Sequence, residues 1–178
     1  METITVRPET PDDYFTVECV VREAFLDAPH ADGTEALLAR KLRDRPSFVR
    51  SLDYVAVIEG AVAGNIMYSM CDIIGATGER WEALTLAPLS VLPRFQRRGV
   101  GSLLVRYTLD AARKAGFRAV LLYGHETYYP RFGFSPAARY GITTAGGDNF
   151  DAFMALPLHD GALDGVRGRY IYDAVFDE

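Results

Sequence analysis

Between Pro93 and Val105 the chain reads PRFQRRGVGSLLV, placing two guanidinium groups and two glycines just before an apolar run with helical spacing. A helix start carries free amides and a partial positive charge, so it ordinarily takes a serine, a threonine or a carboxylate. Arg97 and Arg98 instead make this end more positive, and no Asp or Glu follows in the first turn. An external oxyanion would resolve that imbalance. Amides at a helix start bind phosphate, glycine lets the backbone come close to it, and Arg97 and Arg98 would face the ligand. Two familiar phosphate motifs fail here: after Gly99 and Gly101 the third glycine of GxGxxG is Leu104, and no GK[ST] follows.

The elements that must hold this loop are legible on both sides. From Gly99 to Ala115, the residues Val100, Leu103, Leu104, Tyr107 and Ala111 recur at helical spacing, with Arg106, Asp110, Arg113 and Lys114 on other faces and Gly116 as the stop. Upstream, ALTLAPLSVLP is an apolar strand interrupted by Pro88. Proline donates no ladder bond, so it marks an edge or a bulge, and the adjoining loop favours a bulge whose opened ladder leaves amides for a ligand. Downstream, AVLLY is a further buried strand. Nearer the start, TITVRP forms a first strand. Thr10 then caps a helix with Pro11, Asp12 and Asp13 in its first turn, and a second helix runs from Thr34 to about Asp44, closed by Pro46. YVAVIEGAVAGNIMYSMCDII predicts an antiparallel hairpin turning at Glu59-Gly60, with a loop from Gly75 to Gly78 after it.

Composition bounds the rest. The 178 residues, 49% of them apolar, suit one α/β domain over residues 1–178. A formal net charge of -5 argues against general affinity for nucleic acid or an anionic membrane, which makes a small molecule the expected partner. Cys19 and Cys71 form no CxxC, METITVRPETPDD is no signal sequence, and no apolar run approaches the roughly 18 residues of a membrane helix, so a cytoplasmic setting is expected. Asp72, Glu126, His30 and His159 have no metal-binding spacing, and no nucleophile elbow appears. Neither a metal nor a covalent enzyme intermediate is expected.

Gln96-Arg97-Arg98-Gly99-Val100-Gly101 resembles the Q/RxxGxG/A motif of the GNAT superfamily of N-acetyltransferases, and YYPRFGF resembles that family's later tyrosine-containing segment. Strand, loop, helix, AVLLY and YYPRFGF follow in the family's order. The likeness runs from the first strand to NFDAFMAL and is closest to the subgroup with a YYPRFGF-like ending. It implies a mixed, mostly antiparallel central sheet flanked by helices and split between its fourth and fifth strands, here Leu84 to Leu92 and Ala119 to Tyr123, where acyl-coenzyme A inserts.

The same resemblance implies roles. Backbone amides around Leu89 and Val91 would hold the pantetheine arm and help orient the thioester. The loop Gln96, Arg97, Arg98, Gly99, Val100, Gly101 and Ser102 would cradle the pyrophosphate. Tyr129 stands four residues before Gly133, as in the family's Y-x-x-x-G-F, and would protonate the departing thiolate, since a phenol keeps its proton at neutral pH. Tyr128 is its less supported neighbour. The implied reaction is acetyl transfer from acetyl-coenzyme A to a primary amine by direct attack on the thioester. A small-molecule acceptor is expected, with a peptide or protein amine as the alternative. Glu82, His125 and Glu126 are base candidates, and some family members need none. Phe25, Tyr68, Trp81, Tyr140 and Phe150 are candidate acceptor-lining rings, with Gly146-Gly147 as a loop over them. The competing class is a non-catalytic acyl-coenzyme A sensor, which would not need Tyr129. Family analogy also suggests a homodimer.

Overall fold

The computed structural model describes residues 3–26 and 33–178, so His30 lies outside the described residues. Strand β1 (Ile4–Pro8) leads through a short 3-10 turn at Pro11–Asp13 into helix α1 (Tyr14–Phe25), and α2 (Glu35–Leu42) follows. The hairpin then forms from β2 (Tyr54–Ile58) and β3 (Ala61–Ile74), turning at Glu59 and Gly60, both with positive φ. Positive φ at both residues of a two-residue turn matches the twist of the strands it joins. β4 (Arg80–Val91), α3 (Val100–Lys114) and β5 (Ala119–Tyr123) follow, then β6 (Ser135–Pro136), β7 (Ile142–Thr143), β8 (Phe153–Pro157) and β9 (Gly168–Ile171). The sheet order is β1-β2-β3-β4-β5-β8-β6, with β9 on the far half of β3 and β7 beside β9. Pairing is antiparallel except for β4 with β5 and β7 with β9.

α3 covers one face of this sheet. Its Val100, Leu104, Val105, Leu109 and Ala112 pack with Ile66, Tyr68, Leu84, Leu86, Val120 and Leu122. α1 and α2 cover the other face, where Val17, Val21, Ala39 and Leu42 meet Val55, Met67 and Ala87. Removing one such side chain, as in Leu104→Ala, costs about 2–5 kcal/mol through lost burial and the cavity left behind.

The buried stripe of α3 departs from the expected one. Leu103 and Tyr107 are exposed, whereas Thr108 is buried. The reason is a polar contact that apolar periodicity cannot register: the Thr108 hydroxyl lies 2.9 Å from the Tyr68 hydroxyl and also donates to the Leu104 carbonyl at 2.9 Å. A fully satisfied threonine can occupy a core position. Thr10 is the N-cap of the turn that opens the first helix, as expected, but its side chain makes no cap bond. The Asp13 carboxylate instead accepts from the Thr10 N–H at 2.9 Å and the Thr10 hydroxyl at 2.8 Å, and Arg7 grips it through two bonds of 2.7 and 2.8 Å. α2 ends at Leu42, before Pro46 is reached, and buried Arg43 beyond it donates to Glu9 at 2.6 Å, tying α2 to the end of β1.

Candidate active site

β4 is the element that opens the sheet. Between Leu86 and Leu89 it spends three steps while β3 spends two between Tyr68 and Ile66, so the extra residue forms a bulge at Ala87 and Pro88. A proline at a bulge removes a donor where the ladder is already broken. On its other edge β4 pairs with β5 only at Leu84 with Val120 and Thr85 with Leu121. Beyond that point the parallel strands part, and Leu89 and Val91 lie on the unpaired stretch of β4, their side chains partly buried against the core beneath α3. β4 starts earlier than the expected Leu84, at Arg80, which brings Glu82 inside the strand.

The chain leaves β4 through Leu92, whose N–H donates to Ala63 at 2.9 Å, and through a 3-10 turn at Pro93–Phe95. Gln96 then reaches back, donating from Nε2 to the Val91 carbonyl at 3.0 Å, so the loop is fastened to the strand that opens. Arg97 has φ 61° and Gly99 has φ 85°. Left-handed backbone is unremarkable for glycine but costs an arginine about 1–2 kcal/mol, and such strain gathers at ligand sites. Loops with residues in this conformation turn successive N–H groups inward as anion nests. Gly99 is the N-cap of α3. No side chain caps this helix, its first turn has no acid, and Arg94 and Arg98 lie over the Phe95 ring at 4.9 and 5.7 Å. Arg97 and Arg98 are exposed, Val100 is buried, and Gly101 and Ser102 are partly buried.

Gly101 sits closer to protein than its sequence role suggests. A Cβ there would lie 2.9 Å from the Tyr128 hydroxyl and 3.6 Å from Val91 Cγ2. Tyr128 therefore bridges the start of α3 to the segment after β5, and Arg131 packs over its ring at 4.7 Å. Sequence reasoning gave Tyr128 little weight because a ring spanning two distant elements leaves no periodic signal.

Tyr129 opens a 3-10 turn, Tyr129–Phe132, that Gly133 ends with φ 98°. Its ring packs against Gly124, just beyond β5, leaving no room for a Cβ there, and it meets Tyr128 and Phe134 edge-on. Burial, then the neighbouring Tyr128 and Tyr68 hydroxyls, raise its pKa well above that of an ordinary phenol, so it holds its proton throughout the neutral range. Three buried tyrosines can be compared. Tyr68 pairs its hydroxyl with Thr108 and Tyr170 pairs with Thr85 at 2.8 Å, whereas the Tyr129 hydroxyl has no hydrogen-bond partner among the described residues.

The base candidates separate. Glu82 is 69% exposed, beside Arg80 at 3.9 Å, and lies five residues before the bulge, roughly 16 Å along an extended strand. It stands at the closed end of the β4–β5 pair. His125 and Glu126 are exposed in the loop joining β5 to Tyr128, and the His125 carbonyl accepts from the N–H of Tyr128 at 3.0 Å and of Tyr129 at 3.4 Å. Of the candidate acceptor rings, Tyr68 is fully buried and spoken for, Trp81 and Tyr140 pack on the core around β9, Phe25 packs against the α1–α2 core, and Phe150 is exposed. Gly146 and Gly147 lie in a turn closed by Thr144 and Asp148.

This combination of a bulged strand, a parting parallel neighbour and an uncapped helix start has a recognisable kin. Residues 15–134 match the acetyltransferase (GNAT) family. The chain belongs to that family. It is a GNAT-type N-acetyltransferase, 31% identical over 173 residues to the N-acetyltransferase YhbS of Escherichia coli K12, an alignment covering 97% of this chain and 98% of that one. The crystal structure of Escherichia coli YhbS in complex with CoA superposes with a TM-score of 0.88 at 29% identity, covering 100% of this chain and 94% of the other. A GNAT family acetyltransferase from Brucella melitensis in complex with acetyl-CoA gives 0.76 at 30% identity, covering 99% and 100%. The expected GNAT sheet, mostly antiparallel and split between β4 and β5, is the observed one. Among the described residues no group of three metal-ligating side chains comes together, and no helix is long and apolar enough to cross a membrane.

Proposed function

We propose that this GNAT protein transfers an acetyl group from acetyl-coenzyme A to a primary amine of a small molecule, the two substrates meeting in the opening between β4 and β5. The observation that carries this reading is the continuity of the opened β4 edge with the uncapped, arginine-flanked start of α3. Acetyl-coenzyme A supplies an activated acetyl thioester. The loop Gln96 to Ser102 binds its pyrophosphate through backbone N–H groups, with Arg97 and Arg98 adding charge, and so fixes the remote end of a long molecule. Backbone groups at Leu89 and Val91, freed from β5 by the bulge, hold the pantetheine arm and direct the thioester carbonyl towards a donor. Tyr129, protonated and without a hydrogen-bond partner among the described residues, gives its proton to the departing sulfur, and the proton lost by the attacking nitrogen passes to solvent, from which the phenolate regains one.

Two measurements test this. Coenzyme A and acetyl-coenzyme A raise Tm by binding the folded state, with NAD and ATP doing much less, and a screen of amines releases free thiol in step with acetylated product. Tyr129→Phe retains the ring and leaves coenzyme A binding in place, while single-turnover acetylation falls by about 10²-fold, the scale of general acid catalysis. A folded Tyr129→Phe protein with unchanged single-turnover rate removes Tyr129 from the mechanism. A wild-type protein that binds coenzyme A but acetylates no amine favours a sensing role.

A further inference from the structure

On the face of the sheet away from α3, the opened end of β5 meets a group of rings, rooted on the buried Phe153 and Tyr170, that leaves aromatic surface exposed beside a carboxylate of the C-terminal turn Ala174–Asp177. Val120 and Leu122 pack beneath α3, so Leu121 and Tyr123 point to the opposite face. Tyr123 remains 45% exposed although it stacks on Phe150, ring centroids 5.5 Å apart and planes at 26°, and meets Tyr172 edge-on at 6.2 Å. Phe150 is itself 48% exposed. The Tyr172 hydroxyl donates to Asp177 Oδ1 at 3.2 Å, and this carboxylate makes no ion pair among the described residues. Two cations that reach this C-terminal segment pair with other carboxylates, Lys41 with Glu178 at 2.8 Å and Arg45 with Asp173 at 2.9 Å. Burial first, then Tyr172 and Asp177, push the Tyr123 phenol up to about 12, which places rings and carboxylate in one electrostatic neighbourhood.

The register puts this group beside the opening. β4 and β5 pair at Leu84 with Val120 and Thr85 with Leu121, and had the pairing continued, Ala87 at the bulge would stand opposite Tyr123. The anion loop at the start of α3 serves the other side of the same gap.

We propose that Tyr123, Phe150, Tyr172 and Asp177 form a recognition site for a positive group on the acceptor, so that preferred substrates are primary amines carrying a second cation, diamines being the simplest class. The inference rests on the acetyl-transfer reading above. Aromatic faces attract an ammonium ion and an unpaired carboxylate adds to that attraction. The attacking amine must be neutral, whereas a distal amine remains protonated at neutral pH, so one diamine presents both forms. A chain of net charge -5 also concentrates cations near its surface.

The test is calorimetric titration of the coenzyme A-saturated protein with 1,5-diaminopentane and 1-aminopentane, alongside initial acetylation rates for both, in the wild type, Asp177→Asn, Tyr123→Leu and Tyr123→Phe. The wild type binds the diamine about tenfold or more tighter than the monoamine. Asp177→Asn and Tyr123→Leu each shrink that ratio by about threefold or more, and Tyr123→Phe, which keeps the ring, shrinks it less. Asp177 is exposed, so its variant tests the site even where Tyr123→Leu fails to fold. Equal affinity for the two amines, no diamine binding, or a ratio unchanged in Asp177→Asn overturns the inference. Selective diamine binding without acetylation of either amine upholds the site and overturns the transfer reading instead, while equal acetylation of both amines does the reverse.

Discussion

The starts of α1 and α3 solve the same problem in opposite ways. At α1 the chain supplies its own anion: Asp13 accepts from the Thr10 backbone and hydroxyl and is held by Arg7. At α3 the cap is a glycine with no side-chain cap bond, the first turn has no acid, and arginines precede it. One helix end is neutralised from within, and the other is the end to which the proposed function assigns a ligand. Placing the missing charge on a substrate makes binding energy available at a chosen point, while an internal carboxylate spends the same electrostatics on stability.

The largest effect expected is from making α3 resemble α1. Ser102→Asp puts a carboxylate into its first turn, which stabilises the free protein by about 0.3–1 kcal/mol, and sets a negative charge against the phosphates. Coenzyme A affinity then falls by about 100-fold, the size of losing one or two charge-assisted bonds. Titration calorimetry beside thermal melting reads both, and a Ser102→Asp protein that binds coenzyme A normally breaks the comparison.

Gly101→Val comes next, with an affinity loss of about 10-fold or more as bulk enters the cradle. Because the new side chain also meets Tyr128, the double variant Gly101→Val with Tyr128→Ala sharpens the point. Affinity that returns in the double variant assigns the glycine to Tyr128 packing, and affinity that stays low assigns it to the ligand.

A smaller, two-sided effect is expected at Arg97. Arg97→Gly relieves the positive φ, so the free protein gains up to about 1 kcal/mol, while coenzyme A affinity falls severalfold with loss of one phosphate-facing charge and becomes less sensitive to salt. Loss of stability on this change would show that the arginine is not held against its backbone preference.

The smallest effect on the ligand is expected at the other helix. Asp13→Ala leaves coenzyme A affinity unchanged and costs about 1–2 kcal/mol of stability, as for a lost cap. Its pH dependence has a definite sign. The Arg7 hydrogen bonds, followed by Thr10 and against the opposing effect of burial, hold the Asp13 carboxyl well below the usual carboxylate range. Its contribution is therefore complete above the unfolded value near 4 and is lost as pH falls towards the folded value. The variant and wild-type melting curves converge in acid, and curves that stay parallel down to pH 2 would show that the pair contributes nothing through charge.

Much of the framework was legible because local rules decided it. Pro88 inside an apolar run foretold the bulge, since a missing donor has few places in a sheet. Glu59-Gly60 foretold the hairpin, and Gly116 the end of α3. Glu82 was misplaced because strand ends blur into polar flanks, and Thr10 is the cap position as expected, with Asp13 three residues on supplying the side-chain bond.

By itself, the sequence determined the order of the elements from β1 to β5, the bulged fourth strand, and a helix start lacking its own anion, because these depend on backbone propensity and on charge within a few residues. Only the tertiary structure decided which face of α3 is buried, since Thr108 enters the core through Tyr68, forty positions away in the chain. It also set Arg97 in a left-handed conformation, laid Tyr128 against Gly101, and stacked Phe150 on Tyr123 beside the opening. Each of these is a meeting of segments brought together by strand register and packing, and periodicity along one segment carries no record of the other.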